Sequence, residues 1–274
     1  MTRINSTRIG EMEIIALTDG ATQFSADLFP GTEERIISDI LKQAGSETID
    51  TNFNAFVVKS GTDTMLVDAG PRDLFGDSCG FLGDALAEAG LSENDITHLY
   101  FTHLHPDHIA GALTPDGKAV FANAQMMVSQ ADYAFWSNEV FTDDTLLQWQ
   151  SLAQAGIAAY SERTELVKGG DTLIAGVTAI DLPGHTPGHM GFRADDGANS
   201  FVHVGDIVHA PTLQLTRPDI GIVFDIDKVV AQDTRMHTLD MVATDGMKIS
   251  GGHFLQPNVG TLKRAGQGYV FEKC

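Results

Sequence analysis

The sequence predicts an α/β (α+β) fold in which mixed β-sheets are covered by helices. Three observations predict it: β-rich segments occur both as hairpins and between helical segments, four of them end in histidine or aspartate, and no Pro/Gly/Ser-rich linker divides the chain. A doubly wound parallel sheet would place a helix after each strand, so the hairpins favour mixed sheets. Two such sheets, packed as layers, would bring the strand-end loops to one shared edge.

Strands and helices alternate in the first half of the chain. We expect a strand at residues 12–17, a loop rich in turn residues, and an amphipathic helix at residues 35–44 ended by Gly45. NAFVVKS and TMLVDAG then form a hairpin pattern. FLGDALAEAG reads as a helix closed by Gly90, and the buried strand at residues 99–102 runs directly into a histidine-rich loop.

The second half repeats units in which a strand is followed by a polar loop. KAVFANAQMMVSQ predicts two strands, and residues 131–160 predict interrupted helix. DTLIAGVTAIDLPGH and SFVHVGDIVH are strand-then-loop units, VVAQDTRMHTLDMVATDG is a helix, and MKISGGHF is a final strand meeting a loop. The residues at the four polar strand ends are His103, His185, Asp206 and His253.

Composition limits the possible partners. The chain has 274 residues, 43% of them hydrophobic, and 17 Lys+Arg against 37 Asp+Glu give a net charge of −20. This charge repels phosphate backbones and anionic membranes, so we expect a small-molecule substrate and no nucleic-acid or membrane partner. Two cysteines make no disulfide framework, and the N-terminus lacks the pattern of a signal peptide. We therefore expect a cytoplasmic protein.

The segment FTHLHPDH has the composition of a metal site. His103, His105 and Asp107 fall at i, i+2 and i+4, and in an extended chain these positions project to one side. Pro106 restricts any helix to the residues after it, so that Asp107 and His108 would point differently from the two histidines before it. Such residues also occur as helix caps or surface groups, but four together at a strand end favour one or two metal ions. Imidazole and carboxylate suit Zn²⁺ best, with Fe or Mn as alternatives.

Other strand ends could supply further ligands. LPGHTPGHMGF contains His185 and His189, GDIVH contains Asp206 and His209, and SGGHF contains His253. Each alone is as readily a polar loop residue, but their recurrence after strands favours a shared site.

The order HLHPDH, GHTPGH, GD and GGH resembles the metallo-β-lactamase-fold superfamily over residues 54–253. IGEMEIIALTDG, LVDAGPRDLFG, QADYAFW and RAGQGYVF further resemble the methyl parathion hydrolase-like branch. This resemblance implies an αββα four-layer sandwich of two mixed β-sheets flanked by helices. It also implies two metal ions at the edge where both sheets end. We expect a single domain at residues 1–274, of which residues 1–50 form an N-terminal strand, loop and helix that cover the active site.

The resemblance also implies a role for each site residue. The expected ligands of the first ion are His103, His105 and His185, those of the second are Asp107, His108 and His253, and Asp206 bridges the two ions. Asp68 is expected to support the site through hydrogen bonds, His189 to be a supporting or turn residue, and His203 and His209 not to be ligands. Phe75 and Trp136 match positions that line the pocket in this branch. Separately from the resemblance, Phe24 and Phe29, in the N-terminal loop, are expected to cover the pocket.

The expected activity is hydrolysis of a neutral ester, lactone or phosphotriester by a hydroxide that bridges two divalent metal ions. Asp107 is the candidate to pass a proton to the leaving group, and Asp206 holds the two ions together. Two alternatives stay open: a thioesterase similar to glyoxalase II, and a metal-stabilised binding protein without catalysis. Only about twenty residues follow His253, which disfavours the glutathione-binding helical region of glyoxalase II. Relatives in this branch are often dimers, so a homodimer is a further expectation.

Overall fold

Two seven-stranded β-sheets pack face to face in a computed structural model that describes residues 2–256 and 258–274. The first sheet contains, in spatial order, β1 (Ile4–Ile9), β2 (Met12–Phe24), β3 (Ile49–Ser60), β4 (Asp63–Val67), β5 (His98–Phe101), β6 (Gln125–Ser129) and β7 (Thr164–Val167). The second contains, also in spatial order, β8 (Thr172–Ile174), β9 (Val177–Asp181), β10 (Met190–Asp195), β11 (Ser200–His203), β12 (Lys248–Ser250), β13 (Gly260–Ala265) and β14 (Gly268–Lys273).

Helices cover the outer faces of both sheets. They are α1 (Glu34–Ala44), α2 (Leu82–Glu88), α3 (Pro106–Ile109), α4 (Gln130–Asn138), α5 (Asp144–Ala159), α6 (Pro211–Gln214) and α7 (Lys228–Asp245). None of the helices within the described residues combines the length and the apolar character needed to cross a membrane.

Strand directions explain why the polar strand ends converge. The strands β4 to β7 are mutually parallel, as are β11 and β12, whereas the remaining pairs are antiparallel. Because β9 and β11 are both antiparallel to β10, the carboxyl ends of β9, β11 and β12 lie at one edge of the second sheet. The loops after these strands and after β5 form the candidate site described below.

Three apolar layers hold the four-layer arrangement together. Alternate side chains of β3 serve two of them: Ala55 and Val57 pack under α2 and α5, whereas Phe56 and Val58 lie between the sheets. The third layer lies between the second sheet and α7, where Leu239 contributes. This period of two is the normal consequence of strand geometry. The predicted αββα sandwich of two mixed sheets is confirmed.

A fourth apolar cluster fixes the N-terminal segment. Phe29, Ile37 and Ile40 pack with Leu213 of α6 and with Ile222. The helix α1 and its terminal Gly45 therefore agree with the sequence prediction, and they join the N-terminal segment to the loop after β11.

Some elements differ from the prediction. The strand β2 continues to Phe24 through residues expected to form a loop, because their backbone pairs with β3 beyond a bulge between Thr18 and Gly20. The segment before β6 is not a strand: its only pairing is one isolated bridge, between Leu113 and Ala119. The hairpin of β13 and β14 and the strand β10 were not predicted, because their short polar-flanked patterns resemble loops.

Candidate metal centre

Pro106 divides the histidine-rich loop as the sequence predicts. His105 is extended, with φ −67° and ψ 156°, and caps the short helix α3 that begins at Pro106. His103 and His105 therefore precede the helix, whereas Asp107 and His108 lie within it. The four side chains are aimed from two different backbone conformations toward one place.

The first donor set consists of His103, His105 and His185. One ring nitrogen from each lies within 4.8 Å of the others, and the Nε2 atoms of His103 and His185 are 3.1 Å apart. All three side chains are buried. Donors bound to one tetrahedral ion at about 2.0–2.1 Å would lie about 3.3 Å apart, so the spacing suits a shared ion.

The second donor set consists of Asp107, His108, Asp206 and His253. Asp206 Oδ2 lies 2.9 Å from His253 Nε2 and 3.1 Å from His108 Nε2. Asp107 Oδ2 lies 3.6 Å from His253 Nε2 and 3.7 Å from His108 Nε2.

Asp206 lies between the two sets. Its Oδ2 is 3.7 Å from His185 Nε2 and 3.9 Å from His103 Nε2, in addition to its contacts with the second set. Its Oδ1 is buried without a hydrogen-bond partner. This is the position from which one carboxylate can serve two ions.

Hydrogen bonds at Nδ1 orient three of the histidines. His108 donates to Asp68 Oδ2 at 2.8 Å, His185 to Asp225 Oδ1 at 3.0 Å, and His253 to the carbonyl of Asn52 at 2.8 Å. In a neutral imidazole, a proton held at Nδ1 leaves the lone pair of Nε2 facing the centre, which is the tautomer that a metal ligand needs.

Asp68 supports the loop as well as His108. It accepts hydrogen bonds at 2.9 Å from both the amide and the hydroxyl of Thr102. Its φ of 58° lies in the left-handed region, which costs a non-glycine residue free energy. The structure thus places Asp68 where the resemblance implies a supporting carboxylate.

His189 and His203 are buried near the centre, but neither belongs to a donor set. His189 donates from Nδ1 to the carbonyl of Leu182 at 2.7 Å and accepts the amide of Asp206 at Nε2 at 2.9 Å. A side chain at Gly205 would place its Cβ 2.3 Å from His189 Nε2, so this position requires glycine. His203 stacks on Phe192 and accepts the amide of Gly205.

His209 lies beside the two donor sets and in the cavity wall, whereas the only expectation from the sequence is that it is not a ligand. Its Nε2 lies 3.3 Å from Asp206 Oδ2, and it forms a third possible donor group with His185 and Asp206. Thr51 donates to its carbonyl at 2.8 Å and Gln214 accepts its amide at 2.6 Å, which fixes its backbone. The three-residue spacing in GDIVH, directly after a strand, was the available sequence signal.

Burial and charge divide the histidines into two classes. Burial lowers the pKa of His103, His105 and His185 well below the usual range, and neighbouring imidazoles lower it further, so these rings are neutral. For His108 burial acts in the same direction, but the carboxylates of Asp206, Asp68 and Asp107 outweigh it and raise the pKa well above its usual value. Negative charge is therefore concentrated at the second set.

An aromatic cavity of about 380 Å³ opens onto the two sets. Phe24 and Phe75, two of the four expected pocket residues, line it together with Trp149 and Phe224. Phe29 and Trp136 are not in the lining; both are fully buried, Phe29 in the N-terminal cluster and Trp136 edge-on against His105. The cavity walls contain no lysine or arginine among the residues that the structure describes.

The residues present fit divalent metal ions. Neutral imidazoles and carboxylates are the preferred ligands of such ions, and the buried Nε2 of His105 and Oδ1 of Asp206 have no other partner in the described chain. Residues 50–253 match the sequence profile of the Metallo-beta-lactamase superfamily. The chain belongs to the metallo-beta-lactamase superfamily.

Two solved structures superimpose over nearly the whole chain. AidC, a dizinc quorum-quenching lactonase in complex with a product, is 26% identical with a TM-score of 0.93, covering 99% of this chain and 98% of AidC. The hydrolase AbOPH, described as belonging to the beta lactamase superfamily, is 31% identical with a TM-score of 0.92, covering 99% and 97%.

Curated relatives match shorter segments. The uncharacterized protein YobT of Bacillus subtilis is 30% identical over 158 residues, which are 56% of this chain and 60% of YobT. A hydroxyacylglutathione hydrolase of Hyphomonas neptunium is 34% identical over 128 residues, which are 46% of this chain and 39% of that enzyme. The superfamily match and the donor sets together support a metal-dependent hydrolase.

Proposed function

We propose that this metallo-beta-lactamase-fold protein is a dinuclear-metal-dependent hydrolase of the methyl parathion hydrolase-like branch. Its substrate class is neutral esters, lactones or phosphotriesters, and a lactone with an apolar acyl chain is the best candidate. The observation that carries the proposal is the pair of donor sets that share Asp206 beside an aromatic cavity without cationic side chains.

Seven side chains would hold the metal ions. They are His103, His105 and His185 for the first ion, Asp107, His108 and His253 for the second, and Asp206 for both. Two divalent ions, with Zn²⁺ the best candidate, would supply an activated water as the nucleophile and would polarise the oxygen of the scissile bond.

The protein's own groups orient and move protons. Asp107 is the carboxylate of the second set that reaches the cavity, with 19% of its side chain exposed, and we assign it proton transfer to the departing alkoxide. His209, also in the cavity wall, faces Asp206 and is a candidate hydrogen-bond donor to the substrate. Asp68, Asp225 and the carbonyl of Asn52 keep the imidazoles oriented throughout.

The cavity walls favour a neutral substrate with an apolar part. Phe24, Phe53, Trp149 and Phe224 offer apolar surface, and a chain at −20 net charge disfavours polyanions. Burial of one methylene group is worth about 0.8 kcal/mol, or about fourfold in binding. A lactone series of increasing acyl length should therefore show a KM that falls about fourfold per methylene until the cavity is filled.

A thioesterase similar to glyoxalase II is the second candidate, favoured by the 34% identical Hyphomonas relative. A glutathione thioester carries carboxylates, and the described walls of the cavity offer them no lysine or arginine. This difference makes the thioester a discriminating test compound.

The test combines metal analysis with a substrate panel. The purified protein should contain two divalent ions and hydrolyse acyl lactones faster than aryl esters, a dimethyl phosphotriester or an acyl-glutathione thioester. Asp206→Ala should lower both metal content and turnover by orders of magnitude, whereas His237→Ala, on the exposed side of α7, serves as the histidine-loss control. Full loading with two ions and no hydrolysis of any panel member would leave a metal-stabilised binding protein.

A further inference from the structure

Helix α4 touches two site loops through one fully buried carboxylate. Asp132 Oδ2 accepts a hydrogen bond from the amide of Leu104 at 2.8 Å, and its Oδ1 accepts one from the hydroxyl of Thr186. All three residues are completely buried. One side chain thus joins the loop after β5 to the loop after β9.

These two loops carry the whole of the first donor set. Leu104 lies between His103 and His105 in the chain, and Thr186 directly follows His185. The distance between the two loops determines whether the three Nε2 atoms converge. The carboxylate of Asp132 spans that distance.

We propose that Asp132 is a positioning residue that sets the spacing of His103, His105 and His185, and so the affinity of the first donor set for its ion. The inference rests on the two-ion centre of the proposed function, and it assigns a role to the segment QADYAFW. Asp132 acts through the backbone and a hydroxyl, and its hydrogen-bond partners do not include any of the seven donors.

Close packing around α4 leaves this bridge little freedom. A Cβ at Gly188 would lie 2.1 Å from the amide nitrogen of Asp132, so the loop of His185 lies directly against the helix backbone. One turn after Asp132, Trp136 packs edge-on against His105 with ring centroids 5.6 Å apart. The side chains of Gln150 and Gln154 each donate to the carbonyl of Trp136 at 3.1 Å and join α4 to α5.

Asp107 and His108 of the second donor set also follow β5, but they lie within the helix α3, and groups other than Asp132 orient the histidines of this set. His108 depends on Asp68, at the end of β4, and His253 depends on the carbonyl of Asn52 in β3. Loss of the Asp132 bridge should therefore weaken the binding of the ion at the first donor set and leave the binding at the second set unchanged. A residue that merely stabilised the fold would weaken both ions equally.

Titration of the metal-free protein with Co²⁺, followed by its visible absorption, tests this inference. The wild-type protein should bind two ions. In Asp132→Asn and Asp132→Ala the affinity for one ion should fall about 10- to 100-fold, whereas the affinity for the other should stay within about threefold of wild type. Asp19→Asn is the matched control, because Asp19 is equally buried and accepts the amides of Gly80 and Leu82, which carry no donor, at 3.0 and 2.5 Å.

A second pair of variants keeps the test decisive if Asp132 variants fold poorly. Thr186→Val removes the hydroxyl at nearly constant volume and should lower the affinity for the same ion. Thr186→Ser keeps the hydroxyl and should lower that affinity less. An equal loss of affinity for both ions in the Asp132 variants would overturn the inference. So would a selective loss of affinity for one ion in Asp19→Asn. Catalysis is not a readout here, so a wild type that binds two ions but hydrolyses nothing would refute the proposed function alone.

Discussion

Replacement of Arg235 by methionine should be among the most destabilising single changes in this protein. Arg235 lies on α7 with none of its surface exposed. It donates from Nε to the carbonyl of Pro218 at 2.7 Å and from Nη1 to the carbonyl of Ile207 at 3.0 Å. Its Nη1 lies 3.9 Å from Asp225 Oδ2, close enough for a charge interaction but not for a hydrogen bond.

The expected loss follows from what methionine would leave behind. Asp225 would become a buried carboxylate without its cation, and removal of one partner of a buried ion pair costs about 3–5 kcal/mol. The two carbonyls would lose charge-assisted hydrogen bonds, but the same guanidinium serves all three contacts, so these costs are not additive. We therefore expect a loss of about 3–5 kcal/mol in the free energy of unfolding.

Denaturant unfolding, with chelator and with metal ions, measures this quantity. The double variant Arg235→Met with Asp225→Asn removes both charges, and it should be about 1–2 kcal/mol more stable than the sum of the single losses predicts. A loss below 1 kcal/mol for Arg235→Met, or additivity within 0.5 kcal/mol in the cycle, would refute the reasoning.

Three further predictions concern the centre. His209→Leu should retain two ions by elemental analysis, because both donor sets stay complete, but lose about tenfold in kcat/KM; loss of one ion would instead make His209 a ligand. Asp68→Asn should weaken binding at the second set about 10- to 100-fold in a Co²⁺ titration, since His108 loses its orienting carboxylate; unchanged affinity would contradict its supporting role. Burial raises the pKa of Asp132 from 3.8 to about 6. Its favourable contribution to the free energy of unfolding is therefore complete below pH 3.8 and is lost as the pH rises through about 6. The unfolding free energy of wild type relative to Asp132→Asn, measured in chelator, should therefore fall by about 2 kcal/mol between pH 4 and pH 7; a difference independent of pH would contradict the shift.

The strand-end donors could be predicted because their chemistry is local. His103, His105 and His108 crowd into one loop, and polar residues directly after buried strands predict a shared edge when the strands run in the same direction. The groups that hold them could not be predicted in this way. Asp132 and Arg235 lie within predicted helices, where a charged residue is normally exposed, and only the packing of α4 and α7 shows that both are buried.

Aromatic residues show the same limit. Trp136 and Trp149 both lie on helices beside the centre, yet Trp136 packs behind His105 and Trp149 lines the cavity. A tryptophan suits a core and a binding wall equally well, so its type carries no information about which it faces. Which tryptophan faces the cavity depends on how α4 and α5 pack against the rest of the protein, and this is determined by the tertiary structure.

The histidines differ in the atom that each ring nitrogen meets rather than in residue type. His185 and His189 lie in the same loop, four residues apart, and both donate from Nδ1. At His189 the Nε2 lone pair accepts the amide of Asp206, so it is occupied by the protein itself. At His185 the Nε2 faces Nε2 of His103 and the carboxylate of Asp206. When the imidazoles are neutral and the carboxylate is charged, neither of these groups has a proton to donate to the Nε2 of His185. Such a convergence of lone pairs is unfavourable in the protein alone, and a cation relieves it. A histidine is therefore a candidate metal ligand where its Nε2 lone pair accepts no hydrogen bond from the protein. Only the tertiary structure shows which histidines meet this condition.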